Sequence, residues 1–255
     1  MCTLVLLRRP EHDWPLILGA NRDEMVDRPS RPPGRHWPDR PEVVGGLDAL
    51  SGGSWLAMND QGVLAAVLNR RGSLGPAAGK RSRGELALEA LDHAEAAAAA
   101  WALGDLDPGA YRSFNLVIAD ERDAFWLRNR GEEAEGIEVM PLPRGLNMLT
   151  AFDLNDPVSP RIRSFLPRFE TAPAPEPATG DWSAWQALLA ARSDEEGVEE
   201  AAMTVIREDG FGTLSSSLVA LPSVEGRFAS PPVRPVWLFA DGRPGETPYR
   251  PVGDE

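Results

Sequence analysis

Cys2 is the residue of this 255-residue chain with the clearest chemical potential. It is the single cysteine of the sequence and follows Met1, which methionine aminopeptidases remove when the second residue is small. Removal of Met1 exposes an α-amine on the same residue as the thiol. Because the pKa of an α-amine is about 7.7 to 8.0, this amine can take the thiol proton near neutral pH. Cys2 would then serve as nucleophile and base.

A structural interpretation of Cys2 competes with this chemical one. A lone cysteine in an apolar strand is most often a small buried side chain, and position alone favours that interpretation. The polar residues of the next apolar segment shift the balance, because Asn21, Arg22 and Asp23 follow the run PLILGA. A nucleophile accompanied by a carboxylate, a cation and an amide is typical of an active site.

The first 24 residues, MCTLVLLRRPEHDWPLILGANRDE, resemble the NRDE family, which is named for its Asn-Arg-Asp-Glu motif and is related to the transport and Golgi organisation protein 2 of animals. Further matching segments lie at 52–72, 114–120, 145–156 and 212–221. The resemblance therefore extends along nearly the whole chain. It implies a fold like that of the N-terminal-nucleophile (Ntn) hydrolases.

A second resemblance links the N-terminus to the cysteine Ntn hydrolases of the bile-salt hydrolase and penicillin V acylase group. These enzymes open with Met-Cys-Thr and carry G-R-N-x-D on the next strand. This chain has G-A-N-R-D, so Asn21 and Asp23 match, whereas Ala20 replaces the arginine beside the thiolate. Since side chains alternate along a strand, Arg22 would point the same way as residue 20 and could substitute for that arginine.

Two further motifs of the same enzymes test the resemblance. The first motif, M-N-x-x-G-x-x-x-A-x-L-N, is matched by residues Met58 to Asn69. By resemblance, Asn69 would donate a hydrogen bond to the oxyanion of a tetrahedral intermediate. Loss of such a donor costs roughly 2.7 to 4 kcal/mol. The L-T-N-N-P motif is not matched, because Ala151 stands at the expected asparagine. Asn147 or Asn155 is the candidate replacement, and Arg161 lies where the enzymes have a final arginine.

Two functional hypotheses follow. In the first, the protein is an N-terminal cysteine amidohydrolase that cleaves a small-molecule amide without a cofactor, and the resemblance implies two sets of site residues. The catalytic set is Cys2, Arg22, Asp23 and Asn69, and the substrate-binding set is Asn21, Asn147, Arg161 and Trp55. In the alternative, the same pocket binds or carries haem or an acyl or lipid ligand without turnover, with the Cys2 thiolate as a haem ligand. A protein-interaction module has only the Pro-rich segment in its favour.

Composition excludes several other classes. The formal net charge of −13 repels phosphate backbones and anionic lipids, so we expect neither a nucleic-acid partner nor membrane insertion. One cysteine forms no internal disulfide, and the spacing of the three histidines predicts no metal site. The N-terminus lacks the pattern of a signal peptide, which predicts a cytoplasmic location. Richness in Arg, Ala, Gly and Pro is typical of a GC-rich bacterial genome. The sequence does not indicate which oligomeric state the protein has.

The hydrophobic pattern predicts an α+β protein, an Ntn-hydrolase-like αββα sandwich of two antiparallel sheets flanked by helices, in a single domain of residues 1–255. Hairpins are predicted first, then helices, then strands again. The predicted strands are 2–8, 15–20, 54–59, 63–68, 114–119, 124–128, 137–140, 146–150, 213–221 and 235–240. The predicted helices are 83–102, 159–169 and 181–192.

Four segments receive other interpretations. Five prolines in 28–42 predict a long surface loop, and the Pro/Ala composition of 171–179 predicts a disordered linker. The acidic run 194–200 is typical of a solvated surface. The serine-rich segment 212–217 (GTLSSS) has no G-x-S-x-G elbow and runs into an apolar strand, so we predict a strand there and no serine nucleophile.

Overall fold

A computed structural model describes residues 2–131, 134–193 and 201–253. Within these residues the strands form two antiparallel sheets, one of six strands and one of seven. The chain divides into two compact units, the first made of residues 1–27 and 143–255 and the second of residues 28–142. Met1 and the acidic run 194–200 lie outside the described residues. The single-domain organisation stays a prediction.

The first unit contains the six-stranded sheet, in the order β10-β1-β2-β11-β12-β13. The hairpin β1–β2 forms as expected, because apolar runs flank the polar turn at 9–15, and β2 continues five residues beyond the predicted end. The strands of this sheet are β1 Thr3–Arg8, β2 Leu16–Met25, β10 Gly145–Leu149, β11 Phe211–Leu221, β12 Val236–Ala240 and β13 Arg250–Pro251.

Helices α3 (Pro160–Thr171) and α4 (Ser183–Leu189) pack on one face of this sheet. Helix α3 begins as the sequence predicts, because Ser159 accepts a hydrogen bond from the Ile162 N–H and Pro160 occupies the first turn. A short helix α5 (Val224–Arg227) follows β11. The core between α3, α4 and the sheet includes Val5, Ile17, Met148, Ile162, Phe165, Phe169, Trp182, Trp185 and Leu218.

The second unit contains the seven-stranded sheet, whose strands follow one another in sequence order from β3 to β9. The central hairpin β5–β6 and the pair β7–β8 match the predicted strands to within a few residues. The strands are β3 Ser30–Gly34, β4 Val43–Asp48, β5 Leu56–Asn59, β6 Leu64–Asn69, β7 Phe114–Ala119, β8 Ala124–Asn129 and β9 Glu138–Pro141. Helices α1 (Gly84–Ala90) and α2 (Ala96–Gly104) bury their apolar residues against this sheet.

The prediction of one helix over 83–102 is wrong, since the segment forms α1 and α2 with a break between them. Polar side chains from the sheet stabilise the break. The Asn59 Nδ2 donates to the carbonyls of Leu91 and His93 at 2.9 and 2.8 Å, and the Asp120 carboxylate accepts the Ala96 N–H at 2.8 Å. The alanine-rich sequence could continue a helix, so tertiary hydrogen bonds impose the break.

The prediction of a surface loop over 28–42 is also wrong in part, because Ser30–Gly34 forms β3. This strand lies at the edge of its sheet and pairs only with β4. Its register shifts between Arg31 and Gly34, which is where Pro32 and Pro33 lie. Proline cannot donate to a strand ladder, but an edge strand with an irregular register tolerates it.

The predicted linker 171–179 is an ordered turn. The Glu176 N–H donates to the Asp181 carbonyl at 2.9 Å, and Pro175 and Pro177 are buried. Asp181 accepts hydrogen bonds from the Ser183 N–H and hydroxyl at the start of α4, so the predicted helix start is close to the observed one. That helix ends earlier than the sequence predicts, at Leu189.

The predicted α+β class with two antiparallel sheets and helices is confirmed. Among the residues that the structure describes, no helix combines the length and apolarity needed to cross a membrane. In the same residues, no cluster of three or more His, Cys, Asp or Glu side chains is arranged to hold a metal ion.

Candidate active site

Cys2 lies directly beside Asp23 in the first unit. The antiparallel register of β1 and β2 places Thr3 opposite Asn21, so the chain reaches the β2 segment that carries Asn21, Arg22 and Asp23. The Cys2 thiol donates to the backbone carbonyl of Asp23, with 3.5 Å between Sγ and O. The half-buried nucleophile candidate is therefore held at the NRD segment, as the sequence predicts.

The Asp23 carboxylate is fully buried and has a donor on each oxygen. The Thr213 hydroxyl donates to Oδ1 at 2.6 Å, and the Arg161 guanidinium donates to Oδ2 at 3.1 Å. The exposed fractions of the Asp23 and Arg161 side chains are 0% and 8%, so this ion pair is removed from water. A buried carboxylate is stable only when such partners satisfy it.

Arg161 joins three elements at this point. It lies in the first turn of α3, and its Nη1 donates both to Asp23 of β2 and to the Thr3 hydroxyl of β1. Thr3 is the residue that follows Cys2, so the guanidinium fixes the chain next to the thiol. The structure thus brings Arg161 to the Cys2 segment, and its substrate-binding role stays a prediction.

The two faces of β2 carry different groups. Asn21 and Asp23 contact the helix side, because Asn21 bonds the end of α4 and Asp23 bonds α3. Since side chains alternate along a strand, Arg22 lies on the opposite face together with Ala20. Arg22 is buried, and its charge lowers the pKa of the Cys2 thiol. This placement agrees with the proposed replacement of the missing arginine by Arg22, whose catalytic role stays a prediction.

The pKa of the Cys2 thiol is nevertheless raised above its ordinary value. Burial is the largest cause, and the negative charge of Asp23 acts in the same direction. The positive charge of the N-terminus, the hydrogen bond to the Asp23 backbone and, most weakly, the charge of Arg22 oppose both. The thiol therefore keeps its proton near neutral pH. Any nucleophilic chemistry at Cys2 requires a neighbouring base to remove that proton.

Asn21 serves as an internal cross-link. Its Nδ2 donates to the carbonyls of Leu189 and Met203, both at 2.9 Å, and its Oδ1 accepts from the Ser216 hydroxyl at 2.7 Å. Tyr249 in turn donates to the Ser216 oxygen at 2.7 Å. Both amide protons of Asn21 are thus occupied, and its substrate-binding role stays a prediction.

Asn147 is likewise engaged within the first unit. Its Nδ2 donates to the carbonyls of Pro143 and Gly145, and its Oδ1 accepts from Asn155 at 3.0 Å. The Asn155 Oδ1 accepts the Met148 N–H at 2.7 Å. The two candidates for the missing family asparagine therefore connect the turn before β10 to the loop after it. Binding of substrate by Asn147 stays a prediction.

Asn69 and Trp55 belong to the second unit. Asn69 ends β6 opposite Phe114, and its side chain is partly exposed. Trp55 precedes β5, and its indole ring packs so closely against Gly46 that an added Cβ would overlap the ring. This contact explains the glycine at position 46. The oxyanion role of Asn69 and the ligand-binding role of Trp55 stay predictions.

Sequence reasoning missed two residues that touch the site, Thr3 and Thr213. Thr213 lies in the serine-rich segment 212–217, for which the sequence predicts a strand and no nucleophile. Hydroxyl residues in a buried strand are the available signal, because they need partners there. The partner could not be read from the sequence, since Asp23 lies 190 residues away.

Comparison with known proteins identifies the family. A family model described as Transport and Golgi organisation 2 matches residues 1–226. The chain belongs to the Transport and Golgi organisation 2 family. The resemblance of the NRDE segment to this group is thereby confirmed.

Curated members of the Transport and Golgi organisation 2 family match part of the chain. The homologs from Bos taurus and Homo sapiens are 34% and 35% identical over 142 residues, which are 52% of this chain and 50% of each relative. The match thus spans about half the length of these relatives. Both are mammalian, and they leave the predicted bacterial origin untested.

Solved structures show that this family member has an Ntn-hydrolase-like fold. An N-acylethanolamine-hydrolyzing acid amidase ortholog of Caenorhabditis elegans aligns with a TM-score of 0.55 at 14% identity, over 85% of this chain and 92% of that one. A mutant of the conjugated bile acid hydrolase of Clostridium perfringens aligns with a TM-score of 0.52 at 12% identity, over 100% and 97%. The predicted fold class is confirmed.

Proposed function

We propose that this Transport and Golgi organisation 2 family member is an N-terminal cysteine amidohydrolase that cleaves the C–N bond of a small-molecule amide. One observation carries the proposal. The Cys2 thiol bonds the backbone of Asp23, whose buried carboxylate is held by Arg161 and Thr213. A nucleophile and an oriented carboxylate held side by side are two of the groups that this chemistry uses.

The raised pKa of the thiol means that a base must remove its proton, and we assign that role to the α-amine of Cys2. Because Cys2 is protonated at neutral pH, the α-amine exposed by removal of Met1 takes the thiol proton as sulfur attacks the amide carbonyl. The resulting ammonium gives a proton to the leaving nitrogen as the C–N bond breaks, which releases an amine and leaves an acyl thioester on Cys2. Water, deprotonated by the same amine, then attacks the thioester, releases a carboxylic acid and restores the thiol.

Asp23 and Arg22 support this cycle from the two faces of β2. The Asp23 carboxylate stabilises the transient ammonium, since an opposite charge nearby favours the charged form of an amine. Arg22 acts on the thiol, because its positive charge favours the thiolate that forms during attack.

The fold supports the proposal at a coarser level. The names of the two aligned structures describe a hydrolase of N-acylethanolamines and a hydrolase of conjugated bile acids. Both are hydrolases by name, and both share the Ntn-hydrolase-like fold with this chain. The identities of 14% and 12% carry the fold only, so the substrate of this protein is left open.

Acylation of Cys2 by p-nitrophenyl acetate, followed by intact-mass spectrometry, tests the proposal. We expect the purified protein to lack Met1, to gain one acetyl group on Cys2 within seconds to minutes at pH 7, and to lose it again by hydrolysis. A panel of acyl p-nitroanilides with chains of increasing length then reports amide cleavage directly.

Two control variants separate the chemistry from simple thiol reactivity. Cys2→Ala removes the nucleophile and should abolish acetylation. A chain extended at its N-terminus by Met-Lys retains the thiol but has no α-amine on Cys2, so we expect acetylation to slow by about a hundredfold, the lower end of the effect of a general base. Retention of Met1 in the natural chain, or equal rates in the extended and processed chains, would contradict the proposal.

The alternative, a non-catalytic protein that binds or carries haem or an acyl or lipid ligand in the same pocket, stays a prediction. Ligation of haem iron by cysteine requires the thiolate, and the pKa of Cys2 is raised rather than lowered. A titration with haem that produces a saturable Soret shift lost in Cys2→Ala would restore this alternative.

A further inference from the structure

We propose that Thr213 is a positioning residue for Asp23, and that a β-bulge in β11 exists to aim its hydroxyl at that carboxylate. This inference rests on the proposed function and adds a residue that the resemblance to known hydrolases did not include. It also gives a purpose to the serine-rich segment 212–217, which the predicted chemistry left unused.

The register of β2 and β11 contains the bulge. Ser216 pairs with Asn21, Ser215 with Arg22 and Thr213 with Asp23, so Leu214 is an extra residue without a partner. Bulges of this kind re-aim side chains and are frequent next to active sites. Here the extra residue changes which side chain of β11 stands beside Asp23.

The bulge places two hydroxyls on one face of the strand. Asn21 and Asp23 are two residues apart, whereas their hydroxyl partners Ser216 and Thr213 are three apart. In a regular strand Leu214 would stand opposite Asp23, because side chains repeat every two residues on a face. An apolar side chain would then meet a buried carboxylate. The bulge removes that conflict.

The Thr213 hydroxyl has a defined direction. The Thr213 Oγ1 accepts a hydrogen bond from the Val205 N–H, with 2.8 Å between nitrogen and oxygen. The hydroxyl donates to Asp23 Oδ1, with 2.6 Å between the two oxygens. Because the amide is a donor only, the hydroxyl must direct its own proton to the carboxylate. The backbone therefore holds the Thr213 hydroxyl in one orientation, as a donor to Asp23.

Thr213 and Arg161 together prevent rotation of the carboxylate. Arg161 donates to Oδ2 and Thr213 to Oδ1, so each oxygen of Asp23 is tied to a different element. Removal of one tie would allow the carboxylate to turn about its last torsion angle. A catalytic rate depends strongly on the placement of such a carboxylate to within fractions of an ångström.

The experiment compares three threonine variants in the full chain. Thr213→Val removes the hydroxyl and keeps the shape, Thr213→Ser keeps the hydroxyl, and Thr204→Val is the matched control. Thr204 is a buried threonine of the same unit that donates to the Leu189 carbonyl and not to Asp23. The readouts are the rate of Cys2 acetylation by p-nitrophenyl acetate at pH 7 and the Tm of each variant.

We expect acetylation to be at least tenfold slower in Thr213→Val and within threefold of the natural protein in Thr213→Ser and Thr204→Val. A purely structural role would lower the Tm of both valine variants and leave the rates of the folded proteins alike. If the natural chain is not acetylated at all, the proposed function itself fails, and the measurement on the natural chain reveals this.

Two results would overturn the inference while the proposed function stands. The first is a rate for Thr213→Val within threefold of the natural protein. The second is equal impairment of Thr213→Ser and Thr213→Val, which would show that keeping the hydroxyl does not preserve the rate. If Thr213→Val does not fold, Thr213→Ala and Thr213→Cys take its place. Failure of all three to fold would make Thr213 a structural residue, and this too would refute the inference.

Discussion

At the scale of single residues, the first unit concentrates buried polar groups around the NRD segment. Asp23 binds Arg161 and Thr213, and Asn21 binds Ser216, all within the protein interior. Buried polar groups of this density cost stability unless each is satisfied. Here Asp23 and Asn21 have such partners, so the NRD segment beside the thiol is held in place.

The buried ion pair makes a first prediction. Arg161→Ala leaves the Asp23 carboxylate buried without its cation, and we expect the free energy of unfolding to fall by about 3 to 5 kcal/mol. Arg144→Ala is the control, because Arg144 pairs with Glu11 at 2.7 Å in the same unit while the two side chains are 67% and 73% exposed. Urea unfolding followed by circular dichroism measures both. Equal losses would show that burial of the pair is energetically irrelevant.

The thiol makes a second prediction, on pH. In the chain extended by Met-Lys, the iodoacetamide reaction of Cys2 should have its midpoint at a higher pH in the folded protein than in urea, because burial raises the pKa of the folded thiol. The folded state then binds more protons, so this group's contribution to stability is lost as pH rises above the unfolded thiol pKa. Cys2→Ala should not show that loss. A lower midpoint in the folded protein would contradict the burial effect.

At the scale of elements, polar side chains decide where the regular structure stops. The bulge in β11 and the break between α1 and α2 are both stabilised by hydrogen bonds from distant strands. The loop after β10 contains Asn155 with a φ of 57°, a left-handed conformation that most L-residues avoid. These three interruptions are absent from the hydrophobic pattern that defines the elements.

Asn59 tests the break between the helices. Its side chain donates to Leu91 and His93 and accepts the Val63 N–H at 2.9 Å. Asn59→Ala leaves these buried groups unsatisfied, and we expect a loss of about 2 to 4 kcal/mol in the free energy of unfolding. Asn59→Asp keeps the acceptor for the Val63 N–H but places a carboxylate oxygen against the carbonyl oxygens of Leu91 and His93, which repel it. This variant should therefore be at least as destabilising. A loss below about 1 kcal/mol in Asn59→Ala would show that the break forms without this side chain.

Asn155 tests the loop after β10. Its side chain and backbone both bond Met148, and its φ is positive. Asn155→Gly loses the side-chain bonds only, whereas Asn155→Ala also places a Cβ in the left-handed region. We expect alanine to be less stable than glycine by about 1 kcal/mol. Thermal unfolding of the two variants measures the difference, and an equal Tm would mean that the loop relaxes to another conformation.

At the scale of the whole molecule, acidic charge dominates. The net charge of −13 agrees with a small neutral or cationic ligand better than with a polyanion. We expect no saturable binding of a fluorescent 20-nucleotide duplex by fluorescence anisotropy at protein concentrations up to about 100 μM and low salt. Saturable binding that weakens with salt would contradict the prediction that nucleic acid is not a partner.

Much of the fold was accessible from the sequence, because period-two apolar runs and turn residues define hairpins locally. The pairs β1–β2, β5–β6 and β7–β8 and the start of α3 at Ser159 are of this kind. The predictions that failed concern segments whose partners lie far along the chain. The proline-containing strand β3 and the divided helix are examples, since an edge position and a distant amide determine them.

The sequence by itself determined the family, the fold class and the pairing of Cys2 with the NRD segment, because these depend on motif identity and on one short hairpin. Only the tertiary structure decided how the Asp23 carboxylate is held. Arg161 and Thr213 lie 138 and 190 residues from Asp23, and a bulge of one residue sets which hydroxyl reaches it. No local pattern encodes such a contact, since it depends on where α3 and β11 pack against β2.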